Sequence, residues 1–403
     1  MEAYDVLIVG GGAAGFFAAV NAAKQNPKLN IGILERGNSV LSKVKISGGG
    51  RCNVTHAEFI PNVLATHYPR GEKELKGPFH AFMTADTMAW FESRGIPLKI
   101  EDDGRIFPVS NSAQTIIDCF LKEIQKYGVT LMKNHSVQSI APLENGWQLE
   151  TTNGLFSCQK LLIATGSNPK IWKLLAALGL HIISAVPSLF TFDVDDERIK
   201  DIPGVVAKNV YVEVLGTNLA SDGPLLITHS GFSAPSILKL SAFGAIELAA
   251  LNYCFDVKIN FIQQSEAFCM QALLNSKSEL SKKQVRNSTI FNLPKRLWYK
   301  LVEASGISET LRWAEVNKSQ LQALSNQLTA AVFKVHGKST FKEEFVTAGG
   351  IDLKEIDFKT FESKRFKNLF FAGEILNIDG VTGGFNFQNA WTGAYLAAQE
   401  LSK

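Results

Sequence analysis

An α/β architecture is predicted by three observations: a short β-branched strand at Tyr4–Val9, a glycine pattern directly after it, and a change of texture near Ser188 that reverses near Glu344. An uninterrupted apolar run such as Tyr4–Val9 suits a parallel strand covered on both faces. Ala13–Gln25 has the small-residue composition of a tightly packed helix, and Leu29–Leu34 reads as a second strand ending at Glu35. Joined by a right-handed crossover, these make one βαβ unit. Between its strand and helix stand Gly10, Gly12 and Gly15, a G-x-G-x-x-G pattern. The first glycine permits a tight turn, the second lets a pyrophosphate approach the backbone, and the third allows close helix–strand packing. The helix start then offers unpaired N–H groups and a partial positive charge. Glu35 follows Gly15 by twenty positions, where a carboxylate binds a ribose hydroxyl. The amino-terminal unit is therefore read as Rossmann-like and dinucleotide-binding.

Two turn-rich segments follow, Ser47–Asn53 and Pro69–Pro78. Thr84–Arg94 and Ser112–Tyr127 read as helices, the second from Ile116, Ile117, Phe120, Leu121 and Ile124 at helical spacing. Gly104–Pro108 resembles a short strand or a turn, and Val129–Met132 is another strand. Ser136–Ala141, Gly146–Thr152 and Leu155–Ala164 read as three strands joined at Asn145-Gly146 and Asn153-Gly154, pairs that favour hairpins because both residues tolerate positive φ. Beyond Ser188, strands are expected at Val205–Leu215, Pro224–Thr228 and Val257–Ile262. Glu266 to about Ala330 is mainly helical with breaks near Pro294 and Gly306, and a strand with its turn returns at Glu344–Leu353.

The far end of the chain chooses between dinucleotides. Asn368–Ala372 is a buried strand, and Gly380, Gly383 and Gly384 precede Asn386-Phe387-Gln388 and a helix over Phe387–Leu401. A second helix start of this kind suits the ribityl chain and pyrimidine edge of a flavin, because its dipole stabilises the negative charge of the reduced ring.

These segments resemble the two-dinucleotide-binding-domain flavoproteins, and more narrowly the BaiN-type family of NAD(P)/FAD-dependent oxidoreductases, which includes aminoacetone oxidases. The stretches that carry the likeness are VGGGAAG (Val9–Gly15), KISGGGRCNVT (Lys45–Thr55), GRIFPVSNSA (Gly104–Ala113), GPLLITHSGFSAP (Gly223–Pro235), VTAGGI (Val346–Ile351) and FAGEILNIDGVTGGFNFQNA (Phe371–Ala390). The resemblance implies an FAD-binding domain from 1–188 and 344–403, interrupted by a β-barrel-like domain (189–265) and a small helical one (266–343). The texture changes at Ser188 and Glu344 agree with that division. Three positions depart from the family pattern: Asn377 stands for aspartate, Phe385 for tyrosine and Ala234 for glycine.

The residues expected to touch FAD are Gly10, Gly12, Ala14, Gly15, Glu35 and Arg36 at the amino end, then Lys45, Arg51, Cys52 and Asn53. Val137, Thr165 and Gly166 follow, with Gly373, Glu374, Asp379, Gly384, Asn386, Phe387 and Gln388 at the carboxyl end. Within the loop that the resemblance places along the flavin, Lys45 and Arg51 would neutralise pyrophosphate or flavin charge and Asn53 would bond the ring edge. Arg51 and His229 are the catalytic candidates, His229 because an imidazole exchanges protons near neutrality. His80, His67 and Tyr68 are weaker ones. Cys52 lacks the nearby partner of a flavin disulfide reductase and reads as a small hydrophobe.

The 403 residues exceed one ordinary core, and 46% apolar with 20% charged residues describe a globular protein. A balance of 41 basic against 38 acidic residues gives little support to nucleic-acid binding, and Lys282, Lys283 and Arg286 read as a solvated helix face. Five cysteines without a C-x-x-C pair suit a reducing cytoplasm. No run of about 18 apolar residues suggests a membrane span, and no metal-ligand spacing occurs. The expected function is hydride transfer between FAD and a small organic substrate, with NAD(P)H or oxygen as redox partner. The resemblance offers amine oxidation or reduction of a conjugated enone. With one glycine fingerprint, NAD(P)H would dock only transiently. The alternative is a binding module for a protein or RNA in which FAD is structural. The oligomeric state stays open.

Overall fold

The computed structural model describes residues 1–339 and 346–403. Its backbone contacts divide the chain into two compact units, Met1–Val186 with Lys342–Lys403, and Pro187–Phe341. The boundary expected at 343/344, and the first residues of the strand expected from Glu344, lie outside the described residues.

The first unit is a Rossmann-type α/β fold. Its parallel core runs in the order Leu369–Phe371, Gly154–Ile163, β1 (Glu2–Val9), β2 (Ile31–Leu34) and Thr130–Met132. Register is set by Val9 opposite both Leu34 and Ile163, and by Phe371 opposite Ile163. These four strand ends thus stop at one level. The strand Gly154–Ile163 also pairs antiparallel with Gly146–Thr151, which pairs with Val137–Leu143. The turns between them fall at the two expected Asn-Gly pairs, and Gly146 and Gly154 have φ of +122° and +151°.

Helix α1 (Ala13–Gln25) is buried without a break from Ala14 to Ala23. A helix that is apolar all round must be covered on all sides, and the carboxy-terminal helix Phe385–Leu401 supplies part of that cover. Aromatic rings fill the space between them: Phe17 stands 5.1 Å from Trp391 and 4.6 Å from Trp90.

One segment differs from expectation. Pro69–Pro78, read as turns, contains the helix Glu72–Ala81. Pro78 sits near its carboxyl end, where it removes only the bond to Glu74, and Glu72 and Glu74 favour the positive helix start.

The second unit is built on a seven-stranded sheet in the order Ala331–Val335, Phe255–Asn260, Val206–Val214, Ala220–Ile227, Gly231–Ser233, Thr191–Asp193 and Gly337–Ser339. The first and last strands of this path are separated in the chain by His336 alone. Val206–Val214 alternates exposed and buried positions, as a half-covered strand must. The helices Glu266–Glu279, Lys295–Ala304 and Lys318–Thr329 share the sheet's core: Leu273, Trp298, Leu301 and Leu324 cluster with Val212, Ile259 and Phe333. The breaks near Pro294 and Gly306 flank Lys295–Ala304, with Gly306 at φ +69° beyond its end. Asn317 opens the next helix with a capping box, its Oδ1 accepting from the Gln320 N–H while Gln320 Oε1 accepts from its own.

Ala234 has φ +81° and ψ +175°, a conformation that glycine alone adopts without strain. Ala234→Gly is expected to stabilise the protein by about 1 kcal/mol, read as a higher urea midpoint. An unchanged or lower midpoint would contradict it.

Candidate active site

The turn after β1 is shaped by two missing side chains. Gly10 has φ +116°, and a Cβ there would stand 2.4 Å from the Ala164 carbonyl oxygen. At Gly15 a Cβ would stand 2.0 Å from the Gly10 oxygen. The helix therefore starts directly over the strand end. A Cβ on Gly12 meets nothing within 4 Å, so the cradle before the helix start is the room such a side chain would fill. The Glu35 carboxylate accepts from the Gly11 and Gly37 N–H groups, both at 2.8 Å. It braces the turn, and each oxygen keeps another acceptor direction.

A cleft beside this turn is lined by Gly10, Glu35, Arg36, Val137 and Thr165, five of the residues expected to touch the cofactor. It also takes in His135, Ser136, Asn168 and Lys170, which sequence reasoning missed. Asn168 carried a signal, since it precedes Pro169 and caps the helix Pro169–Ala177, accepting from the Lys170 N–H at 3.1 Å. Thr165 Oγ1 and Ser167 Oγ are buried without a partner.

Helix α2 (Ser42–Gly50) breaks at its end into left-handed backbone, with φ of +57°, +69° and +84° at Gly48, Gly49 and Gly50. Cys52 follows at φ +63° and is fully buried. The next residues are clamped onto the carboxy-terminal helix: the Trp391 indole N–H donates to the Val54 carbonyl at 2.9 Å, and the Thr55 hydroxyl to Gln388 Oε1 at 2.6 Å. Asn53 stands beside this clamp with its Oδ1 buried and unpartnered. Gly373 lies between the start of α1 and the second turn of Phe385–Leu401, where a Cβ would lie 3.4 Å from the Ala14 methyl and 3.8 Å from that of Ala390. Gly166 is close by, its would-be Cβ 3.8 Å from Glu374 Oε2.

Several of the expected residues are engaged by protein partners. The Gln388 amide oxygen takes the hydroxyls of Thr55 and Thr87 and its nitrogen bonds Thr392. Asp379 is fully buried and ion-paired with Arg70, a partner that nothing in the residue pattern marks. Asn386 bonds Gly380 through both N–H and C=O, holding the glycine turn shut. Phe387 stacks on Trp391 at 5.5 Å. Arg51 lies 3.9 Å over the Phe107 ring and pairs with Glu101 at 2.6 Å, so its charge is already met. Lys45 is exposed, while Lys43 pairs with Glu374.

The histidines separate. His229 belongs to the other unit, exposed on the turn between Ala220–Ile227 and Gly231–Ser233. His80 is exposed. His67 stacks on Phe385 at 4.2 Å. His56, which no sequence motif marks, stacks on the same ring at 4.5 Å and contacts the Gly383 carbonyl at 3.0 Å. Tyr68 donates to the Phe385 carbonyl at 2.6 Å, and burial raises its phenol well above the ordinary value. It anchors the helix start as a neutral group.

A cradle at Gly12, buried acceptors at Thr165 and Asn53, and two helices meeting near Gly373 fit an adenosine diphosphate and a flavin ring. The fold and these residues define a Rossmann-type protein whose site fits FAD. Over residues 4–400 the chain matches the family described as "HI0933-like protein Rossmann domain", and it belongs to that family. It is 29% identical to "Ribosomal RNA dihydrouridine synthase" of Escherichia coli, covering 100% of this chain and 98% of that one. It is 26% identical to "3-dehydro-bile acid delta(4,6)-reductase" of Clostridium scindens, covering 98% of each. Among solved structures, the 3-ketosteroid-delta4-(5alpha)-dehydrogenase of Rhodococcus jostii shares the fold, with TM-score 0.52, 12% identity and coverage of 100% and 97%. Among the described residues, no helix is long and apolar enough to cross a membrane.

Gly12→Val is expected to fill the cradle and give colourless protein; a yellow variant with an ordinary flavin spectrum would reject that placement. Glu35→Ala should weaken FAD binding by about 1.5–3 kcal/mol, the scale of a lost charged hydrogen bond, measured by flavin release on dilution. Burial pushes the Cys52 thiol up to about 12, so it stays neutral and unreactive. Iodoacetamide on the native protein at pH 8 should label Cys254, the exposed thiol, and spare Cys52. Rapid labelling of Cys52 would disprove its inertness.

Proposed function

We propose that the protein is an FAD-dependent reductase that saturates a carbon–carbon double bond conjugated to a ring carbonyl, and that its substrate is a uracil ring of ribosomal RNA. The observation that carries this reading is the reach of the likeness. Two relatives matched over at least 98% of both chains have names describing one chemistry on different molecules. In a uracil ring and in a 3-keto steroid alike, the double bond to be reduced is conjugated with a carbonyl. The higher identity with the ribosomal RNA enzyme favours the uracil, against the expectation drawn from overall charge.

FAD, when bound, supplies hydride transfer. The turn from Gly10 to Gly15 and the start of α1 would hold its phosphates, and Glu35 its ribose. Asn53 would accept a hydrogen bond from the ring edge with its buried Oδ1. The start of Phe385–Leu401, whose first N–H groups have no partner within the helix, would stabilise negative charge on the reduced ring. The same reading keeps the BaiN-type assignment, NAD(P)H as reductant and a cytoplasmic setting. A barrel-like insert is supported by a sheet whose outer strands flank His336.

The test needs no knowledge of the reductant. Photoreduced holoprotein, mixed anaerobically with a uridine-containing ribosomal RNA transcript, should recover its oxidised flavin absorbance. Recovery with oxygen but not with the transcript, or bleaching of the oxidised protein by aminoacetone, would overturn the reductase reading. NADH and NADPH are then compared by their rates of bleaching.

A further inference from the structure

The charge of the chain is unevenly placed. Residues 277–318 hold nine lysines and arginines against four glutamates, which leaves 32 basic and 34 acidic residues for the other 361 positions. The small positive balance of the whole protein therefore originates in this stretch.

The fold gathers much of it on one face. The Val285 N–H donates to the Leu311 carbonyl and the Trp313 N–H to that of Lys283, both at 3.0 Å, so two segments run side by side about the Gln284–Arg312 bridge. The helix Lys295–Ala304 is tied to the same place. Its Trp298 indole donates to the Val285 carbonyl at 3.1 Å, and Arg286 lies 4.8 Å over the ring of Tyr299. Lys282, Lys283, Lys295 and Arg312 are all exposed around this junction.

A solvated helix face normally carries opposite charges at helical spacing, as Glu72 and Lys76 do in the first unit. Here that compensation is missing. Among the described residues of the stretch, Arg286 with Glu309 is the one ion pair. Glu315 is turned onto the Arg312 backbone N–H at 2.9 Å. Lys277 bonds the Val316 carbonyl and Arg296 that of Asp201, both uncharged acceptors. Unneutralised, exposed cations held on a rigid, Trp-anchored surface form the electrostatic footprint of a polyanion.

We propose that this face, centred on Lys282, Lys283, Lys295 and Arg312, binds the phosphate backbone of the RNA that carries the substrate base. The proposal rests on the reading of that substrate as RNA-borne uracil. Phosphate contacts position a nucleic acid without reading its sequence, so the face holds RNA whatever its sequence.

Fluorescence anisotropy of a labelled uridine-containing RNA hairpin with the full-length holoprotein tests it. Affinity should fall linearly on logarithmic axes as salt rises from about 50 to about 200 mM. Lys282→Glu/Lys283→Glu/Lys295→Glu, which alters exposed side chains only, should keep its flavin absorbance and melting temperature. It should bind the hairpin at least about tenfold more weakly, its salt slope shallower by about one for each phosphate that is no longer neutralised. A variant that binds as the parent does, or a parent that ignores the hairpin yet binds anionic phospholipid vesicles, would overturn the proposal. Binding is read without turnover. RNA that binds through this face but leaves reduced flavin untouched would sink the uracil reading while the phosphate-binding face stands; reoxidation by a small enone with no RNA affinity would overturn the face and the RNA-borne substrate and leave the reductase chemistry.

Discussion

Where β1 passes into α1, the Gly15 backbone lies so near the Gly10 carbonyl that no side chain fits between them. That contact fixes the height at which the helix starts above the sheet. Because β1, β2 and Gly154–Ile163 end level with one another, the helix start, Glu35 and Thr165 come to one edge. Burial then follows: a helix seated so close to its strand must be covered on every side, and Phe385–Leu401 is drawn in by that demand. The second helix start is thus a consequence of the first.

Local geometry is legible in the sequence, while partnerships across long separations are not. Gly10, Gly12 and Gly15 act through backbone shape, which residue type alone specifies. The Asn-Gly turns before Gly146–Thr151 and Gly154–Ile163 can be read for the same reason. Gln388 follows a glycine turn, as a ligand-facing residue would, yet its side chain is spent on protein groups. Its hydrogen-bond partners Thr55 and Thr87 are more than 300 positions away and carry no mark of the pairing. Arg70 with Asp379, and Lys43 with Glu374, are hidden likewise. Asn53, given its role by the loop's resemblance, follows three glycines in left-handed backbone and keeps its amide oxygen buried and unspent.

Averages mislead where distribution matters. A net charge of +3 describes no particular face, and the excess carried by residues 277–318 disappears in it. The helix Lys295–Ala304 in that stretch is also more than a solvated rod, because Trp298 and Leu301 belong to the core of the adjacent sheet. Periodicity locates the helices, but the sharing of one core by helix and sheet emerges only in three dimensions.

The strand Gly154–Ile163 has one neighbour just before it in the chain, another at the amino end, and a third at Leu369–Phe371. During synthesis the first two are ready early, whereas the third emerges only after the entire second unit has been made. Until then this strand presents a bare hydrogen-bonding margin to the translating cell. The second unit can thus mature while the first still waits to be sealed.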